Sequence, residues 1–294
     1  MQRLQFLQLL GLTSIGLGMN TLNNLKKISE TFPLSQRMPI LFLGHGSPMN
    51  GIEDNQFTKG FKNISKTLPK PNAIICISAH WFTKGTKVTA MEIPKTIHDF
   101  GGFPQELYEQ QYPAKGNPKL AKETKKILHP TLVELDEKWG LDHGTWTVLK
   151  HLFPKADVPV IQLSIDYTKD TNYHFELAKQ LNSLRDKGIL IIGSGNIIHN
   201  LGLVDFKKFD KDNYGYDWAI EAQATINNHL INGDYKPLID YKKQSKAFQL
   251  AIPSPDHYLP LIYTLGLQHK GEEIQLFNDK LLAGSLSMTS LKIN

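Results

Sequence analysis

The sequence contains little cysteine, no block of like charges and no long apolar run. Its 294 residues include one cysteine, Cys76, which excludes an intramolecular disulfide. Cys76 stands inside the apolar run AIICIS, so we expect a small core residue rather than a nucleophile. The net charge of +5 comes from scattered lysines, and no concentrated basic surface for nucleic acid is predicted. A hydrophobic content of 40% is sufficient for a globular core.

The N-terminal stretch MQRLQFLQLLGLTSIGLGMN is too short and too polar to span a bilayer. It is compatible with a signal peptide, an amphipathic helix or an unstructured tail. We therefore expect residues 1–36 to lie outside the fold and residues 37–294 to form one domain. Because nothing indicates adaptation to an oxidising compartment, we expect a cytoplasmic protein, with export through the N-terminal segment as the alternative.

Short apolar runs alternate with helical periods along most of the chain. This alternation favours an α/β fold, a single three-layer α/β/α domain around a mixed, largely parallel sheet. Helices are predicted after Asp54, after Asn117, over NYHFELAKQLNSLRDKG and over YGYDWAIEAQATINNHLING. The predicted strands are MPILFL, NAIICIS, TKVTAM, TLVEL, PVIQLSI, GILIIGS, EIQLF and SLSMTSL.

Three of these predicted strands have a histidine at or just past their carboxyl ends. MPILFL runs into His45, NAIICIS into His80, and GILIIGS leads within a few residues to Asn196 and His199. In open α/β sheets, ligands bind beyond the carboxyl ends of the strands. His45 stands in GHGSP, whose glycines leave space around it and whose proline stops the strand, so an exposed imidazole is expected there.

Four histidines are flanked by glycine, proline or small residues that leave room for a ligand: His45, His80, His199 and His257. Imidazole is a common ligand of zinc and iron(II). However, the sequence lacks CxxC, HExxH and any other short-range ligand motif, so a polyhistidine metal site and four ordinary histidines are equally supported. Five other histidines lie in helical or lysine-rich contexts, and we predict that they are surface or half-buried residues: His129, His151, His174, His229 and His269.

His143 follows Asp142 at the start of a predicted helix. The pair could place an imidazole over a pocket as acid or base, or Asp142 could cap the helix while His143 is solvated. The segment from His98 to Pro104 is rich in glycine and aromatic residues, which is typical of a flap, of a wall for a planar ligand, or of a plain surface loop.

Together, seven segments resemble the class III extradiol ring-cleavage dioxygenases, in the branch of the DOPA 4,5-extradiol type. They occur in the family's order between residues 44 and 261. These segments are GHGSPMN, SAHWF, HDFGGFPQELYEQQYPAKG, GLDHGTW, IIGSGNIIHNLG, YGYDWA and PSPDHYLPL.

The resemblance implies a role for each of the five histidines. His45 and His80 match two metal ligands, and His257 matches the third ligand, which is a glutamate in other class III enzymes. His199 matches a catalytic base, or a fourth ligand when zinc is bound, and His143 matches a second acid/base residue. His98 and Gly101 stand where the family pattern has tyrosine or another aromatic residue.

The implied activity is ring opening of a DOPA-like catechol with O2 at one divalent metal ion, Zn2+ or Fe2+. A diol can chelate one metal, and a site with few protein ligands leaves positions for diol and dioxygen. Iron(II) can pass electrons to dioxygen, whereas zinc cannot. A zinc-dependent hydrolase and a non-catalytic metal-binding protein on the same fold are the alternatives. The sequence leaves the oligomeric state open.

Overall fold

A computed structural model describes residues 35–294, so the predicted N-terminal segment, residues 1–36, lies almost wholly outside the described residues. The strands are β1 (Ile40–Gly44), β2 (Ala73–Ser78), β3 (Phe82–Thr83), β4 (Thr86–Thr89), β5 (Val133–Asp136), β6 (Val160–Gln162), β7 (Ile165–Asp166), β8 (Ile189–Gly195), β9 (Ile274–Phe277), β10 (Leu281–Leu282), β11 (Leu286–Ser287) and β12 (Ser290–Ile293). No helix in the described part of the chain is long and apolar enough to cross a membrane.

Ten α-helices connect or flank these strands in the described part of the chain. They are α1 (Gln56–Ser65), α2 (Gln105–Tyr108), α3 (Pro118–Ile127), α4 (His143–Leu152), α5 (Thr171–Lys179), α6 (Asn182–Arg185), α7 (Asp217–Asn232), α8 (Lys236–Ile239), α9 (Lys246–Ala251) and α10 (Leu259–Gly266). As predicted, Asn117 caps α3, with Pro118 in its first turn, and α7 ends at Gly233 in the left-handed conformation.

The main sheet has six strands in the order β6-β2-β8-β1-β12-β9. The first four strands are parallel, and β12 pairs antiparallel with both β1 and β9. The three remaining two-stranded ladders are β3-β7, β4-β5 and β10-β11. The sheet is therefore mixed and largely parallel, as the alternating pattern predicted.

Side chains of the central strands alternate between two cores, one on each face of the sheet. Ile40 and Phe42 of β1 point into the core that contains α5, α7, α9 and α10, whereas Leu41 and Leu43 point into the core that contains α1 and α4. Because consecutive strand residues face opposite sides, uninterrupted apolar runs indicate strands covered on both faces. The predicted three layers are confirmed.

Three predicted elements are split in the structure. The run PVIQLSI forms β6 and β7, and NYHFELAKQLNSLRDKG forms α5 and α6. SLSMTSL forms β11 and β12 because hydroxyl groups replace the strand ladder between them: Ser287 Oγ accepts from the Thr289 amide, and Ser290 Oγ accepts from the Gly44 amide.

Candidate active site

The carboxyl ends of β1, β8 and β2 lie side by side and bring two histidines to one edge of the sheet. His45 follows β1 directly, and its amide donates to the Gly195 carbonyl at the end of β8, at 3.0 Å. His80 follows β2 by two residues, and the preceding Ala79 amide donates to the Ser194 carbonyl at 2.9 Å. Since these strands are parallel neighbours, both imidazoles project over the same end of the sheet.

Loops bring His257 and His199 to the same edge of the sheet. The Asn196 amide, just after β8, donates to the His257 carbonyl at 2.9 Å. A Cβ atom on Gly195 would lie 2.2 Å from that carbonyl oxygen, so only glycine permits this approach. The His199 ring stacks on the His257 ring with centroids 3.6 Å apart and planes 11° apart.

His143 enters from the opposite side, at the start of α4. Asp142 caps the helix by accepting from the Thr145 amide, and the His143 side chain is buried rather than solvated. Its ring centroid lies 3.9 Å from that of His80. A Cβ atom on Gly144 would lie 2.9 Å from His80 Cδ2, so this glycine allows the two rings to meet.

The three predicted ligand histidines can direct one nitrogen each toward a common point. Ligand atoms of His45, His80 and His257 all lie within 4.8 Å of one another. The Ser194 hydroxyl donates its only proton to the Gly144 carbonyl, so it must accept from His45 Nδ1, 3.0 Å away. Neutral His45 is therefore protonated on Nδ1 and has a lone pair on Nε2.

Carboxylates favour the same tautomer in the other two ligand candidates. Asp99 Oδ2 lies 3.4 Å from His80 Nδ1, and Asp256 accepts a short hydrogen bond from His257 Nδ1. A carboxylate is only an acceptor, so His257 carries its proton on Nδ1, and the nearby Asp99 oxygen favours the same tautomer of His80. A partner on the remote nitrogen of each imidazole is the usual arrangement around a protein-bound metal.

The distance between His45 and His80 fits a shared cation. Their Nε2 atoms lie 3.1 Å apart, and both carry lone pairs in the tautomers just derived. Two imidazole nitrogens on one tetrahedral ion, each about 2.1 Å from it, would lie about 3.4 Å apart. A divalent cation would convert the repulsion between these lone pairs into coordination, so the residues fit a single metal ion.

Comparison with known proteins identifies the family. Residues 39–281 match the family model described as the catalytic LigB subunit of aromatic ring-opening dioxygenase. The chain belongs to this family, the class III extradiol dioxygenases. The dioxygenase is thus an aromatic ring-opening oxidoreductase, which confirms the resemblance deduced from the seven segments and favours this activity over the two alternatives.

Known relatives align with nearly the whole length of the dioxygenase. The Escherichia coli (strain K12) protein named 4,5-DOPA dioxygenase extradiol is 48% identical over 270 residues, which are 90% of this chain and 98% of that protein. The Beta vulgaris protein of the same name is 35% identical over 274 residues, 90% of this chain and 96% of its own. The crystal structure of uncharacterized protein JW3007 from E. coli K12 superimposes with a TM-score of 0.76 at 42% identity, covering 88% of this chain and all of that one.

Burial favours the neutral form of three histidines of this site, His45, His80 and His199. Burial lowers the pKa of His45 well below its usual value, and the neighbouring histidines His80 and His257 lower it further. Burial and the proximity of His143 lower the pKa of His80 in the same direction. Burial, followed by His257, lowers the pKa of His199 to about 3. Neutral imidazoles are the form that binds metal ions.

The surroundings of His45 differ from those predicted. His45 is 1% exposed, so the expectation of an exposed imidazole is wrong. The space beside Gly44 is filled by the Met288 backbone, which a Cβ atom there would approach to 2.6 Å. Gly46 has a φ of +65°, a conformation that favours glycine. These glycines serve close packing and a turn, and the imidazole is reached only through the cavity.

Asp99 is a site residue that sequence reasoning did not single out. Its Oδ2 lies 3.1 Å from His143 Nδ1 and 3.4 Å from His80 Nδ1, and its Oδ1 accepts from the His143 amide at 2.9 Å. Burial opposes ionisation, yet contacts with His143 and His80 hold the pKa of Asp99 below its usual value. Its position next to His98 in a glycine-rich segment gave no indication of this role.

The five histidines line one cavity of about 540 Å³. Its inner end is formed by His45, His80, His143, His199 and His257, which we name the histidine floor. Phe103, at the end of the aromatic segment, also lines it, so part of that segment is a wall of the site. The structure thus brings together all five predicted site histidines.

Proposed function

We propose that this protein is a metal-dependent extradiol dioxygenase that uses O2 to open the ring of a catechol. In this proposal residues 37–294 are one catalytic domain, and His45, His80 and His257 hold the metal. The observation that carries the proposal is the convergence of three imidazoles, whose ligand atoms lie within 4.8 Å of one another and whose Nδ1 atoms each face a hydroxyl or carboxylate oxygen.

The reaction inserts both oxygen atoms of O2 into the substrate and breaks a ring bond beside the diol. We infer that Fe2+ is the active metal and that Zn2+ can occupy the same ligands without supporting turnover. Bound iron(II) would offer positions to the diol and to dioxygen and would carry electron density between them. Zinc has no accessible redox change.

Two histidines of the floor remain for proton transfer. His199 lines the cavity beside His257, so its imidazole is placed to accept a phenolic proton from the bound diol. In a site holding zinc it could serve as a fourth ligand instead. His143 lies on the other side of His80, with Nδ1 facing Asp99, and its remaining nitrogen can hold or return a proton near the ring.

Asp99 is the positioning residue of this arrangement. One carboxylate oxygen lies within ion-pair distance of Nδ1 of both His80 and His143, so a single group favours a proton on Nδ1 of a proposed metal ligand and of a proposed acid/base residue. Such partners of metal-binding histidines orient the ring and raise its basicity.

The proposal is tested with metal-free protein reconstituted anaerobically with either Fe2+ or Zn2+. After addition of air and a panel of catechols, oxygen uptake and a yellow ring-opened semialdehyde are expected with Fe2+ and not with Zn2+. The His269→Ala variant, changed at an exposed histidine outside the floor, serves as the matched control and should behave as the parent protein. Absence of turnover with every catechol, or oxygen-independent hydrolysis with Zn2+, would contradict the proposal.

A further inference from the structure

Two serine hydroxyls lie between the strand ends that carry the histidine floor and the start of α4. Ser78, the last residue of β2, pairs in register with Ser194 of β8, and both residues are fully buried. Because directly paired residues of neighbouring strands point to the same face of a sheet, both hydroxyls face α4. Ser78 Oγ donates to Asp142 Oδ1 at 2.7 Å, and Ser194 Oγ donates to the Gly144 carbonyl. The two serines therefore join the sheet to the first turn of α4.

Asp142 holds this first turn in place. Its carboxylate is fully buried and accepts from the Thr145 amide at 3.1 Å and from Gln162 Nε2 at 2.7 Å, as well as from Ser78. Both carboxylate oxygens thus have donors, and a displacement of α4 would leave a buried polar group without them. The helix also approaches the strands closely, since a Cβ atom on Gly144 would lie 2.6 Å from Ser78 Oγ. The first turn of α4 therefore has a fixed position relative to the sheet.

Ser194 connects this fixed turn to His45. Its hydroxyl proton is directed at the Gly144 carbonyl, so its oxygen faces His45 Nδ1, 3.0 Å away, as an acceptor. Ser194 is the only hydrogen-bond partner of His45 Nδ1 in the part of the chain that the structure describes. His80 and His257 differ in this respect, because a carboxylate lies beside Nδ1 of each. The tautomer of His45 therefore depends on one neutral hydroxyl group.

The other ring nitrogen of His45 has a competing partner. His45 Nε2 lies 3.1 Å from His80 Nε2, which is a hydrogen-bonding distance. If His45 carried its proton on Nε2, it would donate that proton to the lone pair of His80 Nε2, and the two imidazoles would bind each other. Both nitrogens would then be occupied, one as donor and one as acceptor. A proton on Nε2 of His45 is therefore incompatible with metal binding by this pair of histidines.

We propose that Ser194 is a positioning residue that holds the His45 proton on Nδ1 and so prevents His45 and His80 from hydrogen-bonding each other in place of a metal ion. This inference rests on the proposed metal site and adds a residue to it. Without the Ser194 oxygen, the buried Nδ1–H group of His45 would have no acceptor, whereas an Nε2–H group would have one in His80. An unsatisfied buried donor costs free energy, so the proton would move from Nδ1 to Nε2 of the same ring, with no change in charge.

The first test determines the tautomer in metal-free protein. Two-bond ¹H–¹⁵N correlation spectra of the imidazole rings distinguish Nδ1–H from Nε2–H, and the His45 signals are assigned by their absence in His45→Ala. The parent protein should show Nδ1–H for His45, and Ser194→Ala should show Nε2–H. Ser194→Thr keeps a hydroxyl and should show Nδ1–H. Ser194→Cys keeps the volume but offers only a weak acceptor, so it should show part of the same shift.

The second test measures Zn2+ affinity by competition with a chromophoric chelator. Ser194→Ala should bind Zn2+ about 10- to 100-fold more weakly than the parent protein, the range typical of lost partners of metal-binding histidines. Ser164→Ala is the matched control, because Ser164 is also a fully buried serine, and its hydroxyl accepts from the Lys87 amide at 2.8 Å outside the floor. This control should lose stability, measured by urea unfolding, without losing Zn2+ affinity.

The outcomes separate this inference from the proposed function. An Nδ1–H tautomer of His45 in Ser194→Ala, or a Zn2+ affinity in that variant equal to that of the parent, would overturn the role of Ser194 and leave the metal site intact. Equal losses of Zn2+ affinity in Ser194→Ala and Ser164→Ala would overturn it as well, since a general loss of packing would then explain both. A parent protein that binds no Zn2+, or binds it equally well after His45→Ala, would overturn the proposed metal site itself.

Discussion

The two ends of the cavity are built on opposite principles. The histidine floor is buried and polar, and the Nδ1 atoms of its three proposed ligands each face a hydrogen-bonding or charged partner. The outer end is lined by apolar side chains, of which Leu201 is 63% and Phe206 is 78% exposed. The floor is therefore suited to fixing a metal and moving protons, whereas the outer side chains offer only apolar contact surface. Substitutions at the two ends should differ in the kinetic quantity that they change.

Loss of a proposed ligand should have the largest effect. His45→Ala and His80→Ala should each abolish metal retention and turnover, a greater loss than the 10- to 100-fold typical of outer-shell partners. Metal content per chain and oxygen uptake measure the two effects separately, with circular dichroism as the folding check. Metal binding that survives replacement of His45, His80, His199 and His257 in turn would show that the ligand assignment is wrong.

His143→Ala should affect rate without affecting metal content. Removing a positioned acid/base group lowers kcat by about 10²- to 10⁴-fold. KM for the catechol should change much less, because the substrate is held mainly by its diol at the floor. A variant that loses its metal would instead make His143 part of the ligand set.

Asp99→Asn should produce an intermediate loss, about 10- to 100-fold in metal affinity or kcat. The amide keeps an acceptor for the His143 backbone but cannot accept from both imidazoles. Because the tautomers would change, the pH profile of kcat should shift, which a purely structural role would not cause. Asp234→Asn is the matched control, since Asp234 contacts His229 Nδ1 at 3.2 Å outside the floor. A parent-like pH profile in Asp99→Asn would rule out the positioning role.

The smallest effect on turnover is expected at His174, a buried histidine outside the cavity. Burial lowers its pKa to about 4. Between pH 6.5 and 4 the unfolded chain binds a proton that the folded chain excludes, so the free energy of unfolding falls as pH falls, by up to about 3 kcal/mol. His174→Gln should reduce this loss while turnover stays unchanged. Urea unfolding at pH 7 and pH 4.5 measures the difference, and an unaltered pH dependence would contradict it.

His174 also shows why burial alone does not identify a functional histidine. The sequence placed His174 among the surface or half-buried residues, but it is fully buried, with Nδ1 2.9 Å from the Tyr263 hydroxyl. His45 is equally buried, yet it faces four other imidazoles. What distinguishes the two is the number of neighbouring donors, which arises from distant parts of the chain.

Much of the fold and the five histidines could be predicted from sequence, because the information is local. Apolar runs give the strands, Asn117-Pro118 and Gly233 mark helix ends, and the position of His45 and His80 after strands follows from chain order. The quoted segments were also sufficient to indicate the family. Splitting of SLSMTSL was missed because it depends on hydroxyl bonds to a distant strand.

The tertiary structure alone decided what surrounds these residues. The sequence by itself determined that histidines follow the strands, since apolar periodicity and glycine or proline breaks are written along the chain. It could not place Asp99 between His80 and His143, or bring Leu201 and Phe206 to the cavity of the histidine floor, because those contacts join segments far apart in sequence. Tautomers, burial and the charge lining a cavity depend on three-dimensional neighbours, and only folding creates them.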